Sequence, residues 1–553
     1  MKPAVPIITV LLSLTAGIAL WGSQNGRETD NAKAATDKSS GAVLTPEMFG
    51  ATGNGTSHRL SEKYKTIADA RKDYPGVQDL NITFDGAAFQ KAVDTASASG
   101  GEVAAEGRYV INSPIVMKDH VVVDGRNKGT LTNDRSRGKM LNWAFLFGDH
   151  APYGFNKAGN NGAGYEFYDV NEPMKIGRDF LTLAHDADAS AFKMDQIVMV
   201  VSAFKRNQNL SRVMLPYHVT IAKIVKLDGN RIHFEHPFDE DVDSVQICAN
   251  GNFDSHTGIN FGGVQDVTLR NLTIDAAQIS GSEYAYKCHI DNIHLIDGVR
   301  LVGMNAMAYS TFTNITGTFA WRCIEIKTGS HNLLVKNIRG TCKPIPGFPK
   351  VIDAISIGQY NRGVTVDGFD IDFGAAAPRI STVGFRSRKA VISNGVITCT
   401  HQTTPFVTFH NEHYLADPRF GCQGNRLTNV KFHGGSRMKF VFEMGDGTAP
   451  NKDKRKDNWV TQRKLAHSQS KAARTGEPAD PDEMFDAPKT ENVYPEGNLV
   501  EHCLFQGGGA HSAVSLKGGS GNIIRNCTFP DAHLKAAPAF LSSNQLVDNT
   551  FRK

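Results

Sequence analysis

In the second half of the chain, short runs with apolar residues at every second position are interrupted by an asparagine or an occasional substitute, and a second small apolar run follows. The copies read VTLRNLTI at Asn271, VRLVGMNA at Gly303, LLVKNIRG at Asn337, VTVDGFDI at Gly368, AVISNGVI at Asn394, NRLTNVKF at Asn429, NLVEHCLF at His502, NIIRNCTF at Asn526 and QLVDNTFR at Asn549. Successive intervals are 32, 34, 31, 26, 35, 73, 24 and 23 residues, the range in which solenoid repeats occur. Spacing of two with Val, Ile, Leu and Phe predicts short strands, each bending at the asparagine. One such unit cannot bury its apolar face alone, whereas stacked copies share a core and pair their backbones from coil to coil. Strands stacked at about 4.8 Å place the repeated asparagines one above another, where each amide can donate to the next carbonyl. The pattern predicts an all-β chain, a right-handed parallel β-helix. Neither a leucine-rich LxxLxL pattern nor a propeller GH and WD pair recurs.

Other stretches change period. Ala87 to Ala96 carries helix spacing, with Phe89 and Val93 on one face and Asp85 near its start, and the strand EVAAEGRYVI follows. Between Glu166 and Ser255 two groups of alternating strands, with a turn at Asp228 and Gly229, predict an inserted antiparallel β subdomain that covers one end of the solenoid or walls a groove. The long interval after Asn429 holds NKDKRKDNWVTQRKLAHSQSKAARTGEPADPDE, read as a solvated loop or as a basic flap over an anionic chain. The chain starts with Lys2 and an apolar run to Trp21, the layout of a secretory signal or a retained anchor. The expected organisation is therefore 1–21 signal or anchor, 22–44 tether, 45–165 first coils and cap, 166–255 inserted subdomain, and 256–553 main solenoid with an excursion at 445–496.

Composition narrows the class. A hydrophobic content of 40%, a charged content of 21% and 53 glycines describe a turn-rich globular protein. A net charge of +4, with no basic stripe interleaved with aromatics, gives no sign of nucleic-acid binding. The eight cysteines, Cys248, Cys288, Cys323, Cys342, Cys399, Cys422, Cys503 and Cys527, include no CxxC pair, which argues against cysteine metal ligation. Cys503 and Cys527 fall in adjacent repeats, as stacked thiols or as a disulfide.

The segment from Met48 to Gly125 carries FGA-G-G, a short D-AAFQ-A-D-A helix, GG-V---G-Y-I and a closing V-V-G. In this order it resembles the capping first coil of the pectate-lyase-like superfamily of right-handed β-helix proteins. The resemblance implies an extracellular or envelope protein acting on a polysaccharide, as a lyase, hydrolase, epimerase or depolymerase. Asn54 stands where relatives commonly carry an acid, and an insert from His58 to about Asp79 interrupts the motif. No catalytic signature of a single branch is matched, so none is carried over.

Candidate chemistry comes from clustering on the strands before each rung. Inward Ile324 and Ile326 leave Glu325 and Lys327 outward, with Ser356 and Gly358 one coil above. The next coils present Arg386 and Arg388 around Phe385, and then His410, Glu412 and His413 beyond core positions Phe406 and Phe409. Abstraction of the C5 proton of a uronate needs a base and a cation on the carboxylate. Arg386 or Arg388 is the candidate cation, and His410, His413 or Lys327 the base. Tyr360 or Tyr414 could return a proton. Hydrolysis would instead use a carboxyl pair drawn from Glu325, Asp353, Glu412 and Glu443. The same groove could also bind a glycan without catalysis. HNEH lacks the HExxH zinc spacing, while calcium stays open because loops supply oxygen ligands without a recognisable spacing. The expected protein is an exported, secreted or periplasmic monomer that cleaves an acidic polysaccharide by β-elimination.

Overall fold

The computed structural model describes residues 42–134, 144–147, 167–202, 218–243, 245–248, 264–276, 278–327, 329–345, 351–358, 361–401, 404–410, 421–434, 442–444, 495–507, 514–516, 519–529 and 543–551. The N-terminal apolar run and most of the late excursion lie outside them. Among the described residues no helix is long and apolar enough to cross a membrane.

The chain is a right-handed parallel β-helix. One face stacks Thr268–Asp275, His289–Ile296, Thr311–Phe319, His331–Cys342, Arg362–Asp372, Val391–Thr398 and Arg426–His433, each pairing in parallel with the next. A second stack runs through Arg300–Ala308, Arg322–Lys327, Asp353–Ile357, Val383–Phe385, Val407–Phe409, Phe442–Met444 and Val514–Leu516. Inward positions repeat coil by coil and fill the core. Phe432, Phe505 and Phe529 stack nearly parallel at 5.0 and 5.1 Å between centroids.

The bends follow from backbone sterics. Asn271, Asn292, Asn314, Asn337, Gly368, Asn394, Asn429, His502, Asn526 and Asp548 all adopt φ between 50° and 69°. Asparagine, aspartate and glycine enter this left-handed region most cheaply. The amides link coils as expected: Asn292 donates to Asn271 at 2.8 Å, Asn337 to Asn314 at 3.1 Å and Asn429 to Asn394 at 2.7 Å. Two rungs differ from the sequence reading. Gly303 lies in the second stack opposite Glu325, and rungs at Asn292 and Asn314 divide the same stretch into coils of 21, 22 and 23 residues. In the last coil the bend falls on Asp548 and not on Asn549.

A second asparagine column runs inside the solenoid. Asn425, Asn498, Asn522 and Asn544 are buried, and each amide donates to the next side-chain carbonyl at 2.8 to 2.9 Å. The same oxygens accept backbone N–H groups of the preceding coil, at 3.0 Å for Asn425 and Asn498 and 2.9 Å for Asn522. Burial of these polar groups is tolerated because each finds a partner.

The first coil is capped by the helix Phe84–Ser99, longer than its apolar spacing predicts, with Thr83 accepting from the Gly86 N–H at its start. Buried Asp85 accepts from the Thr52 and Val110 backbones at 2.7 and 2.9 Å, which ties the leading turn, the helix and the first strands together. The interval 167–248 forms a six-stranded antiparallel sheet in the order Phe167–Asp169, Val245–Cys248, Ile197–Ser202, Val219–Asp228, Arg231–Phe234, Phe180–Thr182. Its outermost strands meet, through the Val170 and Leu183 bridge and the Asn171 N–H to Thr182 carbonyl bond at 2.9 Å. The sheet is thus a small closed barrel with its own apolar core, and closure leaves no edge strand exposed. The seven cysteines whose side chains are described are buried free thiols, Cys503 and Cys527 included.

The two asparagine columns differ in consequence. Asn498→Ala is expected to leave one side-chain N–H and the backbone N–H of Asn425 without their acceptor, at about 1–3 kcal/mol for each unsatisfied group. Asn394→Gly, at a bend where glycine already serves in the coil before, should change stability by less than about 1 kcal/mol. Urea melts of the two variants check the contrast.

Candidate functional site

The second stack arranges its outward side chains in columns. Glu325 lies level with Gly303, Ser356, Gly384, Thr408 and Glu443. Lys327, Gly358, Arg386 and His410 form the next column, fixed by backbone bonds from Gly358 to Ile326, Arg386 to Ile357 and His410 to Phe385. Beneath them Ile326, Phe385 and Phe409 are buried, with the two phenyl rings stacked at 4.6 Å.

Around this face sits a charge cluster broader than the sequence suggested. Glu325 pairs with Arg300 and Arg322 and lies 2.7 Å from Lys327 Nζ. Arg322 Nε is 2.9 Å from Asp353 Oδ1, so one guanidinium bridges two carboxylates. The Trp321 ring carries Arg300 at 4.1 Å, Arg322 at 4.9 Å and Lys327 at 5.8 Å from its centroid. Arg386 Nε donates to His410 Nε2 at 2.7 Å. Lys327 is the most open of the ion-paired groups, with 42% of its side chain exposed against 4% for Glu325 and 1% for Asp353.

Packing this much charge out of water alters its proton affinities. Burial pushes Asp353 up from the ordinary carboxylate value, against the pull of Arg322, Arg386 and Lys327. Burial lowers Arg300 to about 10, with Asp353 opposing. Arg322 is lowered by burial too, helped by repulsion from Arg386 and Arg300 and opposed by Asp353. For Arg322, neighbouring guanidinia therefore add to the effect of burial.

Several sequence expectations change here. Glu325 faces away from the core but is covered by the cations, not solvated. His410 uses Nε2 to accept from Arg386, so that nitrogen orients a cation and is not an open base. Arg388 does not face the groove: it is 3% exposed and grips Glu240 through Nε and Nη2, both at 2.8 Å. Glu412, His413, Tyr360 and Tyr414 lie outside the described residues. Glu443 follows Thr408 in backbone register on Phe442–Met444. Arg300, Trp321 and Arg322 were not anticipated. A signal existed in Trp321 and Arg322, a scarce aromatic and a cation just ahead of the alternating run CIEIK.

Arg388 belongs to a buried seam between solenoid and barrel. Arg362 donates to Asp239 at 3.0 Å, to the Val219 carbonyl at 2.6 Å and to Thr220 Oγ1 at 2.8 Å. His218 bonds Glu240 at 2.8 Å and Thr220 at 2.7 Å, and His331 Nε2 accepts the Ile221 N–H at 2.8 Å. Burial would raise Asp239, but Arg362 holds it down at about 2. His218 is lowered to about 4 by burial and by Arg362, against Glu240, and His331 is held well below its usual value by burial and Arg362. Gly329, two residues past Lys327, adopts φ +71°, and a Cβ there would lie 2.6 Å from Val219. The barrel therefore stands directly beside the Lys327 column and walls it on one side. Among the described residues no group of three or more His, Cys, Asp or Glu side chains could hold a metal.

No protein-family model matches the chain, and no curated protein matches it. Among solved structures, the tailspike protein gp49 from Pseudomonas phage LKA1 is similar at 12% identity and a TM-score of 0.44, over 91% of this chain and 84% of that one. The surface adhesin PfbA of Streptococcus pneumoniae is similar at 10% identity and a TM-score of 0.42, over 92% and 90%. An endo-xylogalacturonan hydrolase from Aspergillus tubingensis is similar at 8% identity and a TM-score of 0.33, over 84% and 89%. Likeness at this level says nothing of what the present chain acts on.

Two stability outcomes follow from the seam. Arg388→Ala leaves Glu240 buried beside His218 without its bidentate partner, and a loss of about 3–5 kcal/mol is expected in denaturant melts. His218 and His331 bind protons more weakly folded than unfolded, so between about pH 6.5 and pH 4 the unfolded chain holds more protons. Stability should be full above about pH 6.5 and fall as the pH drops toward 4. His218→Gln should flatten part of that slope in melts taken across the range.

Proposed function

We propose that this chain is an exported enzyme that cleaves an acidic polysaccharide by β-elimination on the outward face of the second stack. The observation that carries the reading is the crowding of Arg300, Arg322 and Arg386 around Glu325 and Asp353, on a linear face walled by the barrel. A uronate carboxylate brings the negative charge such a face favours, and cations aimed at it stabilise the enolate formed when the C5 proton leaves. Lys327, the most exposed of the ion-paired groups, is the proposed base, accepting the C5 proton as the free amine after its ammonium has given a proton to solvent. Arg386, oriented by His410, neutralises the substrate carboxylate. Tyr360 and Tyr414 remain the candidates for returning a proton to the leaving oxygen. An endogenous site on a single solenoid needs no second subunit, which supports action as a monomer.

A second reading, glycoside hydrolysis, has one specific observation in its favour. Glu325 and Asp353 share Arg322, which holds their carboxyl groups near each other, as a hydrolytic pair requires. Burial also keeps Asp353 nearer its protonated, acid form. Against it, Glu325 is shared by three cations, which blunts it as nucleophile or base. Elimination is therefore favoured.

The test is the purified chain on pectate, alginate, glucuronan and glycosaminoglycans, with and without calcium, followed by ultraviolet absorbance and by reducing ends. Elimination gives absorbing unsaturated ends, and Lys327→Ala should lower the rate about 100-fold or more. Arg386→Ala should lower kcat/KM by a similar factor. New reducing ends without absorbance would shift the assignment to Glu325 and Asp353. Silence in both assays, with retention on a polymer-containing gel, would make the face a binding surface only.

A further inference from the structure

Trp321 stands at the edge of the charge cluster with its indole Nε1 buried and no acceptor within reach. It is a donor and nothing else. Around the same ring lie two guanidinia, also donors only: Arg300 at 4.1 Å and Arg322 at 4.9 Å. Two carboxylates are close, but both are committed. Glu325 is shared by Arg300, Arg322 and Lys327, and Asp353 is engaged by Arg322 Nε. The indole N–H thus has no hydrogen-bond partner, and the guanidinia lie over the face of the ring that carries it.

A hydroxyl could accept from the indole, yet it would do nothing for the crowded guanidinia. A negatively charged oxygen satisfies both, through charge-assisted hydrogen bonds that are shorter and stronger than neutral ones. Arg300 retains 16% side-chain exposure, so solvent reaches the cluster at this edge. Arg300 and Arg322 lie on the two coils that precede Asp353, so this corner is displaced along the solenoid from Arg386 and His410.

We infer that Trp321, Arg300 and Arg322 form an oxyanion subsite, beside Lys327 and two coils before Arg386, that takes a carboxylate or sulfate group. The inference deepens the proposed activity and rests on it only for the source of the anion, a charged sugar of the polymer at a unit next to the one cleaved. The subsite itself would also accept a free oxyanion.

The test uses the indole as its own reporter. The chain contains four tryptophans, so the difference between the unaltered protein and Trp321→Phe isolates one of them. Emission is followed while sodium sulfate or sodium glucuronate is added, with sodium chloride at matched ionic strength as the control. A saturable change with sulfate or glucuronate, absent with chloride and absent in Trp321→Phe, is the expected result. Arg300→Lys should weaken the midpoint by about tenfold, since a point charge does not replace a planar fork, and it provides a second readout should Trp321→Phe fail to fold. Saturation by glucuronate alone identifies a sugar carboxylate, and saturation by both identifies a general oxyanion site. Identical titrations in the two proteins, or a response that chloride reproduces, overturn the subsite. Cleavage assays run in parallel separate the two ideas. Cleavage with a silent Trp321 removes the subsite and leaves the enzyme, whereas saturation without cleavage does the reverse.

Discussion

Parallel pairing from one coil to the next is the constraint on which everything else in this molecule depends. Because strands repeat at about 4.8 Å in register, each outward side chain lies directly over its counterpart in the neighbouring coil. An inward methyl must then meet another methyl, a bend must meet another bend, and an outward charge must meet whatever the next coil offers. Phenylalanines stack at 5.0 Å inside and asparagines donate along both columns for the same reason. Insertions are tolerated between strands and not within them. The chain accordingly places the barrel and its other long excursions at connections, where they leave the ladder intact.

The charge cluster is this rule applied to unlike partners. Arg300 pairs across to Arg322, and Arg322 to Asp353, so two cations would be opposed in adjacent coils and destabilising if nothing intervened. Glu325 and Asp353 are the intervening groups, with Trp321 offering its ring face to the same cations. The arrangement is compact and, apart from Lys327, largely buried. Those properties suit electrostatic catalysis, in which donors already aimed at developing charge need no reorganisation.

The barrel supplies what a bare solenoid face lacks. Its buried seam commits Arg362 and Arg388 to Asp239 and Glu240, with His218 and His331 kept neutral between them. Buried ion pairs add little net stability relative to apolar contacts, but a misplaced one is heavily penalised. The seam therefore fixes where the barrel sits more than how strongly. That position brings Val219 against Gly329 and closes one side of the column holding Lys327, Arg386 and His410. The pH sensitivity of the two histidines comes with the same design.

The class of fold was legible along the chain, because alternation at spacing two and asparagine at recurring bends are local consequences of strand geometry and of the left-handed region. It also placed Ser356 over Glu325 and the phenylalanines inward, since register follows once the rungs are aligned. Alignment by rung failed where the bends carry no distinctive residue spacing, so Gly303 was read for the true rungs at Asn292 and Asn314. The buried Asn425, Asn498, Asn522 and Asn544 column was written four residues before each late rung, yet burial is not a local property. Which outward residues line the groove emerged only from contacts between coils and with the barrel. Arg386 and Arg388 are two residues apart on one strand end, but the second is claimed by Glu240, 148 positions earlier in the chain. Glu325 is covered by Arg300 from the coil below, and His410 is turned toward Arg386. Partner choice among charges depends on distances across coils and across the inserted barrel, and no spacing along the chain encodes those distances.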